Sequence, residues 1–145
     1  MTNNPFPESK KEYGVLLLRL LIGIRLVEGM WNIIFDGQIQ GVAGFFDQFH
    51  IPFPSLSAVL CVYAEFICGI LFIAGLWVRQ AALVMIFTFT IAIVVVDIHN
   101  GFEKAFPAWT IWVVSIFLLF YGGGKFSIDE KFPKRDKSLG VNRNN

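Results

Sequence analysis

Residues 81–96 read Ala-Ala-Leu-Val-Met-Ile-Phe-Thr-Phe-Thr-Ile-Ala-Ile-Val-Val-Val, and the whole stretch from Gln80 to Val96 is without a charge. A helix on the surface of a soluble protein keeps a polar face at a period of 3.6 residues; this run is apolar on every side. A chain of 145 residues has too much surface for its volume to hide such a segment from water. Composition points the same way: 55% of residues are hydrophobic, 16 are Phe, and only 16% are charged, against roughly 25% in ordinary soluble domains. Lipid is the solvent that removes the conflict, and the expected fold is an all-α integral membrane protein.

Four segments fit that reading. They span about 14–35, 56–77, 80–98 and 105–121, each near the roughly 20 residues that cross a hydrocarbon core of about 30 Å. Together they make a four-transmembrane-helix bundle over 14–121, between a tail of residues 1–13 and a tail of residues 122–145. The first segment is read as a retained helix rather than a signal peptide, because Arg19 and Arg25 interrupt its apolar run and no small-x-small cleavage site follows.

Basic residues in short loops set the orientation. The N-terminal tail, the Trp77–Gln80 turn and the C-terminal tail carry Lys10, Lys11, Arg79, Lys125, Lys131, Lys134, Arg135, Lys137 and Arg143. The opposite loops carry only Lys104, beside Asp36, Asp47 and Glu103. Both termini are therefore expected on the cytoplasmic side. In the first outer loop, Val42, Phe45, Phe46 and Phe49 recur at helical spacing opposite Asp47 and Gln48, which predicts a short interfacial helix. Pro52 and Pro54 impose an extended entry into the second membrane helix. Gly122-Gly-Gly124 stops the fourth, and Ser127-Ile-Asp-Glu130 has the form of a capping box.

Charges within the membrane carry the functional information. An Arg or Asp at a helix centre costs about 2.5–3.5 kcal/mol on the insertion scale, against about 0.3–0.6 kcal/mol gained per Leu, Ile, Val or Phe. The apolar residues of 14–35 contribute roughly −4 to −8 kcal/mol, most of which Arg25 and Glu28 cancel. Such a helix needs partners, and polar groups at this depth are functional candidates. Arg25 and Glu28 share one helix face that Asn32 continues, and counting along the segments puts Glu65 at the depth of Arg25. One reading is an Arg25 centre flanked by Glu28 and Glu65, where a carboxylate exchanges a proton with a bound redox ligand. The other is an ion-pair staple with no chemistry.

Arg19 lies near the cytoplasmic end of its helix, either snorkelling to the interface or serving the same site. Asp97 and His99 stand at the outer end of the third segment, as helix-terminating residues or as a proton route. Trp31, Trp77, Trp109 and Trp112 fall toward segment ends like an aromatic belt; Trp31 and Trp112 are also candidates to wall a flat aromatic ligand. Cys61 and Cys68 stand about 10 Å apart along a helix, too far for a disulfide, and read as packing residues. No phosphate-binding glycine loop, HExxH, haem-type CxxCH or nucleophile elbow occurs, so no metal, flavin or haem is expected. Nothing points to nucleic acid; the basic tail suits contact with anionic membrane lipid.

Three stretches resemble the DoxX family. Leu18-Arg19-Leu-Leu-Ile-Gly23 followed by Glu28-Gly29 is similar to its first helix. Ala64-Glu65-Phe-Ile-Cys-Gly69, continuing through Gly75-Leu-Trp-Val-Arg79, is similar to its second helix and turn. Gly122-Gly-Gly-Lys-Phe-Ser127-Ile-Asp129 is similar to its closing segment. The resemblance covers about residues 14–130. It implies a small protein of the bacterial cytoplasmic (inner) membrane, in a family linked to quinone-coupled oxidoreductases and to membrane redox-stress complexes. Asn32 stands where a Lys is expected. Quinone is the implied cofactor, with Arg25 polarising a ring oxygen, Glu28 or Glu65 exchanging the proton and a Trp stacking on the ring. The electron donor would then be a protein partner. The alternative is a non-enzymatic scaffold or accessory subunit that stabilises a partner protein, or associates with its own copies.

Overall fold

The computed structural model describes residues 8–97, 102–124 and 127–128. Its elements are α1 (Glu8–Phe35), α2 (Ile39–Gln48), α3 (Pro54–Ala74), α4 (Val78–Ala92) and α5 (Phe102–Tyr121), with α4 prolonged by a π-helical turn over Ile93–Asp97. Among the described residues there is no strand. His99 and most of the Ser127–Glu130 motif lie outside them.

Each long helix gives one narrow stripe to the interior. On α1 the stripe is Val15, Arg19, Ile22 and Leu26; on α3 it is Ala58, Val62, Glu65, Cys68 and Phe72; on α4 it is Val78, Ala82, Met85 and Phe89. Steps of three and four residues put each set on one face. The remaining apolar side chains point outward: Leu17, Leu60, Phe87 and Phe120 are 66%, 61%, 68% and 78% exposed. α3 and the stretch Val78–Val95 are long and apolar enough to cross a membrane, yet only 33% of each is buried inside the protein. The core helix of a soluble protein is apolar because it is enclosed; these two are apolar where they are open. Phe106–Tyr121 is a shorter apolar helix. α1 is long enough, but Arg19, Arg25 and Glu28 interrupt it.

α1 packs along α3, α3 on α4, and α4 on α5, while α5 touches α1 only lightly. α2, the amphipathic helix expected in the first loop, lies against α3 and buries none of its residues fully. Pro54 opens α3 at its first position, where its missing N–H is no loss. The composition suggests that this helix runs to Trp77; it stops at Ala74 because Gly75 turns left-handed (φ 71°). The Gly75 and Leu76 amides both return to the Leu71 carbonyl, at 2.8 and 3.1 Å, which closes the helix end. α1 and α3 meet closely at Gly23 and Gly69, where the side chain missing from each admits the backbone of the other. The close approach fixes the register of the two helices.

Candidate functional site

The helical period divides the polar residues of α1. Arg19 falls on the inner stripe and is 1% exposed, whereas Arg25, Glu28 and Asn32 fall on the outer face and are exposed. The register then separates Arg25 from Glu65. Gly69 lies against Gly23, Leu26 and Val27, and the Phe66 ring is 6.3 Å from Trp31. Glu65 therefore stands about one turn, roughly 6 Å, further along than Arg25, and inside the bundle rather than outside. Its Oε1 accepts a hydrogen bond from the Cys61 thiol at 3.2 Å. Among the described residues no ion pair joins Arg25 to Glu28 or to Glu65. The residues expected to form one cluster occupy two places: an internal thiol–carboxylate pair and an outward polar row.

That outer row borders a groove of about 410 Å³ lined by Ile24, Val27, Glu28, Trp31, Asn32 and Ile73. Trp31 is 49% exposed, and its ring lies 4.3 Å from Phe35. The groove combines a carboxylate, an amide that both donates and accepts, one flat aromatic wall and an apolar floor. That set suits an amphipathic ligand with a flat polar head. Arg25 is not part of the lining; its guanidinium folds along the helix toward Gly29, within 3.3 Å of where a Cβ there would stand.

Trp112 lies elsewhere. Its indole N–H donates to Thr90 Oγ1 at 2.9 Å, and Thr90 in turn donates to the Ile86 carbonyl at 2.6 Å. The ring meets Trp109 edge-on at 5.9 Å. It ties α4 to α5 and is not part of the groove lining.

Arg19 has a different task from the one its position in the sequence suggests. Its Nη1 donates to the Gly123 carbonyl just beyond α5, and the guanidinium lies over Gly75, where a Cβ would come within 2.7 Å of it. Arg79 Nη2 reaches the Phe120 carbonyl at 3.5 Å, and the Tyr121 hydroxyl reaches Glu12 at 3.3 Å. Carbonyls at a helix C-terminus lack intrahelical donors and carry the negative end of the helix dipole. Arg79 supplies the Phe120 carbonyl of the last turn, and Arg19 the Gly123 carbonyl just past it. The signal in the sequence was the glycines, Gly75 and Gly122-Gly-Gly124, which frame a cation only once the chain is folded.

The family model for DoxX matches residues 14–98 of the chain. An uncharacterized membrane protein of Mycobacterium tuberculosis, Rv3486, is 29% identical over 143 residues, a span of 88% of this chain and 86% of that protein. No solved structure matches. The matched region holds the buried Arg19, the Gly23–Gly69 contact, Glu65 and the Gly75–Arg79 turn, and the chain is a membrane protein that belongs to the DoxX family.

Proposed function

We propose that this protein is a membrane subunit of a quinone-linked oxidoreductase system, binding the quinone head in the groove on the outer face of α1. α1, α3, α4 and α5 each cross the bacterial inner membrane, with both termini cytoplasmic and α2 on the outer surface. One observation carries the reading: Glu28, Trp31 and Asn32 line a single groove above Ile24, Val27 and Ile73. A volume of about 410 Å³ is within the range of small-molecule sites, and the mixed lining fits a flat head with an apolar tail entering from lipid.

A bound quinone supplies the capacity to take up electrons together with protons. The chain's own groups act around it. Trp31 walls the ring, Asn32 donates a hydrogen bond in the place where a lysine was expected, and the Glu28 carboxyl holds or releases a proton at the groove edge. Glu65 faces the interior and supports Cys61 instead. Electrons come from a partner protein.

Two measurements test this. In protein purified from native membranes in mild detergent, quinone co-purifies with the wild type, and Trp31→Ala weakens its binding about tenfold, from the loss of roughly 1.5 kcal/mol of ring contact. Glu28→Gln retains the quinone and slows its reduction in the native complex. A wild type that carries no quinone but a stoichiometric protein would establish the accessory-subunit reading, which the exposed Phe45 and Phe53 of the outer loop favour. For orientation, an impermeant maleimide on intact cells labels Asp36→Cys but leaves Ser9→Cys and Ser138→Cys untouched until lysis. The reverse pattern overturns the arrangement.

A further inference from the structure

We infer that a second copy of this chain covers the outer face of α1, with Arg25 of each copy against Glu28 of the other. The inference rests on α1 crossing the membrane and not on what the groove binds.

α1 is packed along one side only. Its inner stripe meets α3, its contact with α5 is slight, and its outer flank leaves Leu17, Leu21 and Ile24 at 66%, 58% and 56% exposed. A flank of leucine and isoleucine alone would suit lipid. This one also presents Arg25 and Glu28 within the span and Asn32 in its last turn, all exposed. Hydrocarbon offers these groups nothing to bond, and polar residues at such depth face protein or a water-filled cavity. The cation and the carboxylate are neighbours on one face, yet among the described residues they do not pair with each other or with any other side chain of the protomer.

Their charges are complementary to themselves. A two-fold axis along the membrane normal keeps both copies in the same orientation and makes an isologous contact, in which each residue meets its counterpart's partner. Arg25 and Glu28 differ by three residues, about 4.5 Å along the helix. Side by side, each Arg25 then reaches the partner's Glu28 by bending along its helix, as it already does toward Gly29. Two ion pairs form and no charge remains toward lipid. At Gly29 an added Cβ would meet nothing but Arg25, so the surface there is low enough for close approach. The groove of each copy is then bordered on one side by the other, and the partner's Arg25 supplies the cation that the lining of one copy lacks.

Charge exchange in native membranes tests the contact, with insertion of every variant checked by the Asp36→Cys labelling described above. With tagged and untagged copies co-expressed, the wild type co-purifies as a dimer. A disulfide joins Leu21→Cys copies, whereas Val113→Cys, exposed on α5, does not cross-link. Arg25→Glu alone and Glu28→Arg alone each lose at least tenfold in self-association. The two co-expressed pair with one another, and the double variant Arg25→Glu/Glu28→Arg recovers self-association. A wild type that is monomeric in the bilayer overturns the inference, as does a single variant that associates as well as the wild type or a different protein held stoichiometrically on this face. Should Asp36→Cys and Ser9→Cys label from the same side, α1 does not cross, and the topology fails with it. If they label from opposite sides and the chain is monomeric, only the dimer fails.

Discussion

Arg19→Ala is expected to lower the stability of the folded protein by about 3–5 kcal/mol, read as a fall in thermal midpoint or in the denaturant needed to unfold it in mild detergent. Two losses add. A charge-assisted hydrogen bond to the Gly123 carbonyl contributes about 1.5–3 kcal/mol, and removing the largest fully buried side chain leaves a cavity that the surrounding helices close only in part. The opposing term is desolvation. A buried charge can cost more than its bond returns, and replacing it with an apolar residue of similar shape is then stabilising. Arg19→Met separates the two terms, since it keeps the buried stem and deletes the guanidinium. If desolvation dominated, Arg19→Met would be more stable than the wild type. We expect it to be less stable, because the Gly123 carbonyl just beyond α5 is left without this donor. Gly75→Ala should act on the same contact: its Cβ would stand 2.7 Å from the guanidinium at a φ of 71°. In the Arg19→Ala background only the backbone strain remains, about 1–2 kcal/mol, so the two substitutions are less than additive.

The burial of Arg19 shows where the sequence stops being legible. Hydropathy is a local property, so the apolar segments, the amphipathic loop helix over 39–48 and the stop at Tyr121 can all be read from residues close in the chain. It is equally local that Arg25, Glu28 and Asn32 share a face. Which face turns inward is not local. It depends on where α3 lies, and that is decided at Gly23 and Gly69, whose role exists only when two backbones meet. Counting from segment centres places Glu65 level with Arg25, because the count assumes helices of 14–35 and 56–77. α1 starts at Glu8 and α3 ends at Ala74, and the glycine contact sets Gly69, not Glu65, beside Leu26 and Val27. The outward facing of Arg25, Glu28 and Asn32, added to this axial offset of one turn, makes of a supposed single cluster an internal pair and an external row.

The Gly23 contact gives the second large effect. An added Cβ at Gly23 would stand 2.8 Å from the Gly69 carbonyl oxygen and 2.7 Å from Ile73 Cγ1. Ile73 Cγ1 sits beside the branch point and shifts only by a change of rotamer; the carbonyl belongs to the backbone of α3 and cannot move, short of moving the helix. Gly23→Ala should therefore destabilise the bundle by about 1–3 kcal/mol, the range for overpacking a tight interface, and Gly23→Leu by more. The same substitution in α2 should have the opposite sign. Gly41 and Gly44 have nothing within 4 Å of an added Cβ, and alanine in a helix interior is favoured over glycine by about 0.5–1 kcal/mol. Slower hydrogen exchange of the α2 amides in Gly41→Ala, beside a lowered thermal midpoint in Gly23→Ala, is the expected pair of results. At Gly69 a Cβ would lie 3.0 Å from the Gly23 carbonyl and from Leu26 and Val27, so Gly69→Ala should also destabilise. Once one alanine has parted the helices the second meets less resistance, and the double variant should lose less than the sum. Equal stability of Gly23→Ala and wild type would mean that α1 and α3 do not approach here, and the register that separates Glu65 from Arg25 would fall with it.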